Sequence, residues 1–431
     1  MKAIYTLFIQ CYGLILRTAA LFSDKAGKWV SGRRDLFTKL KHWTRSLDRE
    51  KNPVAWFHAS SLGEFEQGRP VLEAFKAEWP EYRILLTFFS PSGYEIRKNY
   101  DQADYVSYLP LDLPGHAKRF IGLVQPSMAV FIKYDYWFNM LWELRIRQIP
   151  TYYISAMFRP SHYFFRWYGS WPRKQLGGVT RFFVQNRESL QLLNQAGFSR
   201  VTLTGDTRFD RVYAIAQKQI SFPLIEQFKG TYPVFICGST WPADEKVLFP
   251  WIRDVIQEQQ NNRTVTTGPE SGRTLKFIIA PHDTGESRIH EISEGLGVPA
   301  IRYSELTGEN YSTADILIID TVGILSQLYR YATVAFIGGG FGTGLHNIQE
   351  PITFGVPVLF GPGYHKFKEA VDLVGLGGAF TLSTTRELRL IVEKLTGDPL
   401  LYRQTSECCR NYVDENRGAT AKIMSWFRQE I

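Results

Sequence analysis

The stretch Val54-Ala-Trp-Phe-His-Ala-Ser-Ser-Leu-Gly-Glu64 decides the fold class. An apolar, β-rich run passes through a turn of small residues into a helical pattern that continues to Lys76. In open α/β sheets, ligands bind at such turns. Gly63 would let a substrate come close to the backbone, and Glu64 would lie at the edge of a cleft. An acid at this position also favours a helix N-terminus without doing chemistry, so the pattern alone leaves both roles open.

Short β-rich runs alternate with longer helical patterns along most of the chain, which indicates parallel α/β layers. Because 431 residues exceed what one hydrophobic core usually serves, we predict two doubly wound domains that face one cleft. The predicted strands are Val54–Ala59, Arg83–Phe88, Met128–Ile132, Thr151–Ile154, Arg181–Val184, Val201–Thr204, Val234–Cys237, Leu275–Ala280, Ile316–Ile319, Val334–Ile337 and Val356–Phe360.

The domain joint is predicted in Arg211–Tyr232, a helical pattern that ends near Gly230 and Pro233. The polar stretch Gln259–Arg273 is expected to form a surface loop or hairpin, and Tyr402–Phe427 a closing helix. The predicted parts are a basic membrane-associated segment over 1–45, an N-terminal domain over 46–220, a C-terminal domain over 231–400 and a closing segment over 401–431 that could cross back to the first domain.

The composition excludes several classes of protein. With 44% hydrophobic and 21% charged residues, the chain can form full cores and lacks the signature of disorder. Its four cysteines form no CxxC pair and no zinc-like spacing with histidine, so neither a disulfide framework nor a structural metal is indicated. We therefore expect the globular part to face a reducing cytoplasm.

The formal charge of +8 is concentrated in residues 1–45, which contain nine Lys or Arg against two Asp. The apolar stretch Ala3–Phe22 divides at helical spacing into two faces, which indicates a helix lying in the membrane plane. The alternative is an ordinary amphipathic helix packed on the domain. Because the basic residues follow an apolar stretch, an anionic membrane surface is a better partner for them than nucleic acid. The apolar face has Ile4, Phe8, Cys11, Ile15, Ala19 and Phe22, and the polar face Thr6, Gln10, Gly13 and Arg17.

A second informative stretch is Ala335-Phe-Ile-Gly-Gly-Gly-Phe-Gly-Thr-Gly344, followed closely by His346, Asn347 and Glu350. An apolar strand feeds a glycine loop and then a helix, so free N–H groups and the helix dipole would converge on a phosphate. The loop lacks the GK[ST] of a P-loop, and its partial dinucleotide fingerprint comes late in the chain. Gly238-Ser239-Thr240 and Ala280-Pro281-His282 follow strands in the same half and could add hydrogen bonds, although both also fit ordinary turns.

These motifs together resemble, in order, the 3-deoxy-D-manno-octulosonic acid (Kdo) transferases of lipid A assembly. The resemblance implies a GT-B fold of two Rossmann-like domains and a membrane-associated N-terminus at the cytoplasmic face of the inner membrane. It also implies transfer of Kdo from CMP-Kdo to a lipid A precursor, with inversion and without a bound metal or other cofactor. The motifs are Ser61-Leu-Gly-Glu64, Thr204-Gly-Asp-Thr-Arg-Phe-Asp210, Ser239-Thr240, Asp320-Thr-Val-Gly323, Gly338-Gly339 through His346-Asn347-Ile-Gln-Glu350-Pro351, and Gly361-Pro362.

By this resemblance Glu64 is the general base, Asp135 a supporting acid and Arg208, in place of the usual lysine, an anion contact near the donor. The sequence departs from the family pattern at Lys133, Phe138, His282 and Ile324, so the contacts there are open. The expected CMP-Kdo site comprises Ser239, Thr240, Pro281, His282, Gly323, Gly339, Gly340, Gly344, His346, Asn347 and Glu350.

Two other functions fit the same residues. A related GT-B enzyme that uses a UDP-sugar on a lipid acceptor would keep the glycine loop and the membrane segment. A non-catalytic membrane adaptor on the same fold is suggested by the four departures. Neither rival is excluded by a motif alone.

Overall fold

The computed structural model describes residues 1–218, 220–265, 275–312, 314–342 and 344–431, with the backbone alone for 262–265. It divides into two compact units. Unit 1 is Met1–Asp210 with Arg417–Ile431, and unit 2 is Arg211–Asn416.

The strands and helices alternate along the chain as the sequence predicts. The strands are β1 Val54–Ala59, β2 Arg83–Phe88, β3 Tyr105–Tyr108, β4 Met128–Ile132, β5 Thr151–Ala156, β6 Arg181–Val184, β7 Val201–Leu203, β8 Val234–Thr240, β9 Lys276–Pro281, β10 Ile301–Arg302, β11 Ile316–Ile318, β12 Val334–Ile337, β13 Val358–Phe360 and β14 Ala379–Thr381. The helices are α1 Lys2–Ala19, α2 Asp24–Ser31, α3 Leu36–Arg45, α4 Leu62–Glu78, α5 Pro91–Arg97, α6 Pro114–Val124, α7 Phe138–Ile146, α8 Ser170–Leu176, α9 Arg187–Gln195, α10 Thr207–Gln217, α11 Pro223–Lys229, α12 Pro242–Val265, α13 Glu286–Leu296, α14 Leu325–Leu328, α15 Gln349–Thr353, α16 Lys368–Leu376, α17 Thr385–Gly397, α18 Pro399–Asn416 and α19 Ala419–Glu430.

Unit 1 is built on a parallel sheet with strand order β3-β2-β1-β4-β5-β6-β7. All six residues of β1 are buried, because helices cover both faces of a parallel sheet. Trp56 belongs to the core on one face, and Phe57 packs with Phe65 of α4 on the other. The strand order reverses between β1 and β4, so the carboxyl ends of these two strands form the topological switch point of the unit.

Unit 2 has a second parallel sheet with strand order β10-β11-β9-β8-β12-β13-β14. Here the order reverses beside β8, which pairs with β9 on one side and with β12 on the other. The switch point of unit 2 therefore lies at the ends of β8 and β12. The predicted α/β class with two Rossmann-like sheets is confirmed.

Three edge strands were not predicted, namely β3, β10 and β14. Each has two to four residues, which is too short for a pattern that stands out from its flanks. The predicted loop Gln259–Arg273 is wrong in its first part, because α12 continues to Val265. Residues 266–274 lie outside the described part of the chain.

The closing helix predicted over Tyr402–Phe427 is two helices. α18 packs within unit 2, and the chain passes to unit 1 at Arg417 rather than at 401. Gly418 adopts φ 98°, which ends the helical path, and α19 then begins. The carboxylate of Asp210 accepts hydrogen bonds from the backbone N–H groups of Gly418 (2.5 Å) and Thr420 (2.6 Å), so the last residue of the Thr204–Asp210 motif holds the start of α19.

The predicted joint, Arg211–Tyr232, lies within unit 2. Hydrogen bonds explain why this segment joins the second unit. Gln327 donates through Nε2 to the carbonyl of Ile215 (3.1 Å), and Arg330 donates through Nη1 to that of Ile220 (2.8 Å). These contacts satisfy backbone groups of a segment that the sequence pattern presents as a linker.

The N-terminal helix α1 packs on unit 1 through a face that includes Ile9, and it exposes the apolar face predicted from its spacing. Ile9 and Gly13 are buried, whereas Phe8 and Ile15 are 65% and 64% exposed. The hydroxyl of Tyr5 donates to Asp112 (2.6 Å), which fixes the first turn of α1. Across the described ranges, no helix combines the length and hydropathy needed to cross a membrane.

The close approach of β8 and β12 makes Gly338 a sensitive position. A Cβ at Gly338 would lie 2.1 Å from the carbonyl oxygen of Ser239, which is backbone and cannot swing away. We expect Gly338→Ala to destabilise unit 2 by about 2 kcal/mol or more. Gly342→Ala is the matched control, because no atom lies within 4 Å of its added Cβ. Thermal unfolding of both variants checks this, and equal midpoints would contradict it.

Candidate functional site

The residues predicted to carry chemistry collect at the two switch points. At the ends of β1 and β4 in unit 1 lies a cluster that we call the acid site, formed by His58, Ser60, Glu64, Lys133 and Asp135. At the ends of β8 and β12 in unit 2 lies a cluster that we call the ring site, formed by Trp241, Asp244, His282, His346 and Glu350.

Glu64 lies in the first turn of α4, where it also completes the cap of that helix. Its Oε2 accepts hydrogen bonds from the backbone N–H (3.1 Å) and the hydroxyl (3.3 Å) of Ser61. Burial, and then the negative charge of Asp135, raise the pKa of Glu64 to about 6. The capping role and the chemical role left open by the sequence are therefore compatible, because one carboxylate oxygen holds the helix while the environment tunes the group.

Asp135 is buried in a polar network that sequence reasoning did not find. The hydroxyl of Ser60 donates to its Oδ1, and Nε2 of His58 lies 3.1 Å from its Oδ2. Trp137 donates through Nε1 to Nε2 of His58 (3.0 Å), and Nδ1 of His58 lies 2.8 Å from the hydroxyl oxygen of Thr87. The network fixes Asp135 in a buried position from which its charge acts on Glu64.

Two cations accompany these carboxylates. Lys133 directly follows β4 and has φ 67°, an uncommon conformation for a residue with a side chain. Burial, and then the charge of Arg208, lower the pKa of Lys133. Arg208 lies in unit 1 and forms a two-pronged ion pair with Asp206, with Nη2 to Oδ2 at 2.6 Å and Nε to Oδ1 at 3.2 Å. Lys133 therefore adds a positive charge near Glu64 where the family pattern has an acid.

The ring site contains three stacked planar side chains. The rings of Trp241 and His282 are stacked with centroids 4.4 Å apart, and those of His282 and His346 are 4.7 Å apart. Trp241 donates through Nε1 to Nε2 of His346 (2.8 Å). Burial, and then the neighbouring His282, lower the pKa of His346. His282 contacts both of the other rings and is the one exposed member of the three, so it is the ring that a further planar group can reach.

Most of the described N–H groups of the glycine loop are used within the protein and are not free as the sequence suggests. The N–H of Gly339 donates to Asp244 (2.8 Å), that of Gly344 to the carbonyl of Gly339 (3.0 Å), and that of His346 to the carbonyl of Gly338 (3.1 Å). Gly340 packs against Gly361, whose N would lie 2.6 Å from an added Cβ. Thr343 lies outside the described residues.

Glu350 lies in α15, a five-residue helix, and not at the start of a long one. Its Oε1 accepts a hydrogen bond from Nδ2 of Asn347 (3.2 Å). Burial raises its pKa to about 7, while Asn347 and the charge of Arg211 act in the opposite direction. The buried Gln349 beside it finds no hydrogen-bond partner for either amide atom among the described residues.

The remaining predicted donor residues take several positions. Ser239 has φ 55° at a register shift near the end of β8, and Pro281 ends β9. The hydroxyl of Thr240 donates to Glu245 (3.0 Å), so it faces the protein and not the ring site. Gly323 is exposed with φ 92° in the loop before α14.

Trp241 and Asp244 are the two members of the ring site that sequence reasoning missed. Both lie within four residues after the Ser239-Thr240 motif. Their closeness to this motif is the one feature of the sequence that could have identified them as site residues. Within the described ranges, no group of three or more His, Cys, Asp or Glu side chains is arranged to hold a metal ion.

Comparison with known proteins connects this geometry to a family. The family model of the 3-deoxy-D-manno-octulosonic-acid transferases (kdotransferases) matches residues 34–211, which include the whole acid site. The resemblance to the Kdo transferases is confirmed. The transferase of Bordetella pertussis is 27% identical and aligns with 96% of this chain and 97% of its own length. That of Haemophilus influenzae is 24% identical, at 97% and 96% coverage.

Solved structures with little sequence identity share the two-domain fold. The UDP-GlcNAc 2-epimerase of Neisseria meningitidis has a TM-score of 0.59 and 15% identity, over 88% of this chain and all of its own. MurG of Acinetobacter baumannii has a TM-score of 0.53 and 12% identity, over 88% of this chain and 99% of its own. These likenesses concern the fold alone.

The raised pKa of Glu350 predicts a pH effect on stability. Between about pH 4.5 and 7 the native state keeps a proton that the unfolded state has lost, so native stability falls as pH rises through this window. Glu350→Gln removes that titration. We expect the free energy of unfolding of the variant, relative to that of the wild type, to increase by about 1 kcal/mol from pH 5 to pH 8, after allowance for solvent screening. Thermal midpoints at both pH values measure this, with exposed Glu309→Gln as control. A pH-independent difference would contradict it.

Proposed function

We propose that this chain is an inverting Kdo transferase of lipopolysaccharide biosynthesis, which moves Kdo from CMP-Kdo to a lipid A precursor without a bound metal. The similarity to Kdo transferases over nearly the full chain supports the reaction class. The roles of the residues are assigned from one observation at the acid site. The carboxylate of Glu64, whose pKa is raised to about 6, lies inside the segment matched by the family model.

In the proposed reaction Glu64 takes the proton from the acceptor hydroxyl. The hydroxyl oxygen forms a bond to the anomeric carbon of Kdo while the bond from that carbon to the CMP phosphate oxygen breaks, and CMP leaves with the electron pair. A pKa near the working pH suits a base, because the group is then ionised yet still able to hold the proton. Asp135 contributes by its charge on Glu64 and does not itself need to meet the proton.

We assign unit 2 the donor nucleotide. The three-ring stack of Trp241, His282 and His346 offers a planar face for a base, which supports His282 as a contact despite its departure from the family pattern. Glu350, which is partly exposed, can hydrogen-bond sugar hydroxyls. Lys133 and Arg208 are the proposed contacts for the anionic groups of the donor, since a sugar acid and a phosphate both require cations.

Transfer of labelled Kdo from freshly generated CMP-Kdo to a tetraacyl lipid A precursor tests this function. Glu64→Gln removes the base and should lower kcat by about 10² to 10⁴, with a smaller change in the KM for CMP-Kdo. Glu78→Gln, which removes the same charge from the other end of α4, is the control.

In the wild type, kcat/KM should fall about tenfold per pH unit below pH 6 and level off above it.

Asp135→Asn should move this acidic limb to lower pH, because it removes the negative charge that raises the pKa of Glu64. A wild-type profile that is flat between pH 5 and 8, or full transfer by Glu64→Gln, would reject Glu64 as the base. If the wild type transfers no Kdo and UDP protects it against heat better than CMP does, the UDP-sugar alternative replaces this proposal. Full cellular function of Glu64→Gln would favour the adaptor.

We further propose that the protein acts at the cytoplasmic face of the inner membrane and that α1 lies in the membrane plane. The support is the exposed apolar face of α1, which would otherwise be left in water, together with the basic residues around it. Lys2 lies 4.5 Å from the ring centroid of Trp142, so a cation and an aromatic side chain meet beside the first turn of α1.

Replacing Leu7, Phe8 and Ile15 together by Ser should reduce binding to vesicles rich in anionic lipid about tenfold or more, because these side chains would insert into the bilayer. Folding should be preserved, since all three are exposed by more than half. The control replaces Ile96, Leu376 and Leu400, which are similarly exposed, by Ser. Vesicle sedimentation measures the partition, and equal binding of both triple variants would refute the placement of α1.

A further inference from the structure

Arg33, which follows α2, carries a charge that the fold does not explain. Its guanidinium donates through Nε to the carbonyl of Leu109 (2.9 Å), through Nη1 to that of Trp29 (3.0 Å) and through Nη2 to that of Phe89 (2.7 Å). The guanidinium carbon lies 3.8 Å from the centroid of the Trp29 ring. All of these partners are neutral.

No carboxylate forms an ion pair with Arg33 in the described part of the chain. Burial lowers its pKa to about 9, which is the mark of a cation held away from water without a counter-charge. Such a charge is costly to bury unless an anion comes to it, and three of its five N–H groups are used by the carbonyls above. Two N–H groups therefore remain for a further acceptor.

Arg33 lines a cavity of about 370 Å³ beside α1. Three arginines, Arg17, Arg33 and Arg34, line it together with His116, and no Asp or Glu lines it. Nδ1 of His116 donates to the carbonyl of Leu111 (3.1 Å), which fixes this ring in the wall of the cavity. The cavity is thus built to hold an anion with several oxygens, and a guanidinium fork matches a phosphate best.

The cavity and the acid site belong to the same edge of the sheet. Leu111 lies three residues after β3 and Phe89 directly after β2, so both are at carboxyl ends of strands. A chain of contacts connects the two places: the rings of Trp29 and Phe89 are 5.7 Å apart, those of Phe89 and Trp137 are 4.5 Å apart, and Trp137 donates to His58. A molecule whose hydroxyl reaches Glu64 can extend along this edge.

We propose that this cavity binds a phosphate group of the lipid acceptor and thereby orients the acceptor at the acid site. The inference rests on the proposed function and specifies where that acceptor is held. Apolar side chains near Arg17 on α1 and just beyond it, Leu14, Leu21 and Phe22, are exposed by 64%, 77% and 86% and would meet the acyl chains. Charge complementarity and the adjoining apolar surface together favour an amphiphile over a free anion.

Direct binding of the acceptor, without CMP-Kdo, tests this proposal separately from transfer. The probes are the tetraacyl lipid A precursor and its enzymatically dephosphorylated form, each in neutral detergent micelles. The double variant Arg17→Gln with Arg34→Gln should bind the phosphorylated probe about tenfold or more weakly. The reason is that each charge-assisted hydrogen bond between an arginine and the phosphate contributes to the affinity. Dephosphorylation should weaken wild-type binding similarly and should weaken binding by the double variant less, because Arg33 is then the one arginine of the three that remains.

The matched control is Lys39→Gln with Lys41→Gln, which removes two charges from the same basic segment outside the cavity. Equal losses in both double variants would show general attraction to the segment and overturn the proposal. The proposal is also overturned if dephosphorylation of the probe weakens its binding to the Arg17/Arg34 variant as much as its binding to the wild type.

Arg33→Lys keeps the charge and loses the planar fork. It should weaken binding of the phosphorylated probe and leave binding of the dephosphorylated probe unchanged, and its thermal midpoint verifies folding.

Two further arms identify the source of the phosphate. If millimolar inorganic phosphate displaces the phosphorylated probe, the cavity is a site for free anions and the acceptor assignment fails. If vesicles of anionic phospholipid compete equally well, the cavity is a general headgroup site and the assignment also fails. Phosphate-dependent binding without any Kdo transfer would support this cavity while it rejects the proposed function, so the two failures are distinguishable.

Discussion

The reversal of strand order beside β1 in unit 1 and beside β8 in unit 2 is the constraint on which the candidate chemistry depends. Connections on either side of a reversal run in opposite directions, so the carboxyl ends of the central strands are left uncovered. Small residues then let the chain turn sharply, as at Ser60 and Gly338. Both clusters of polar side chains lie at these places because a parallel sheet buries nearly everything else.

Within unit 1, burial and charge act together on one carboxylate. Burial raises the pKa of Glu64 most, and the charge of Asp135 adds to this effect, although the capping hydrogen bonds favour the ionised form. The buried carboxylate of Asp135 contacts Ser60 and His58, and its charge works against the ionisation of Glu64. The positive charge of Lys133 lowers the pKa of Glu64 and so partly offsets the charge of Asp135. The pKa of Glu64 is therefore a balance among residues from two neighbouring strand ends.

The N-terminal segment has two distinct surfaces on one short stretch of chain. One face of α1 packs on unit 1 through Ile9 and Gly13, while the other exposes a row of apolar side chains. Arg33 extends inward from the loop after α2 to three carbonyls, so the segment is built into unit 1 and is not a loose arm. A membrane face and an anion cavity in one segment would place a lipid beside the acid site.

The sequence by itself determined the α/β class, most of the strands and the glutamate at the end of β1, because apolar runs and turn residues are local signals. It also determined the apolar face of α1, since helical spacing follows from geometry alone. Only the tertiary structure decided which partners surround those residues. The cluster of Trp241, His282 and His346 joins three loops, the His58 to Asp135 network joins β1 to the loop after β4, and the N–H of Gly339 donates to Asp244. Such contacts join residues tens to more than one hundred positions apart, and no local pattern records distances of that kind.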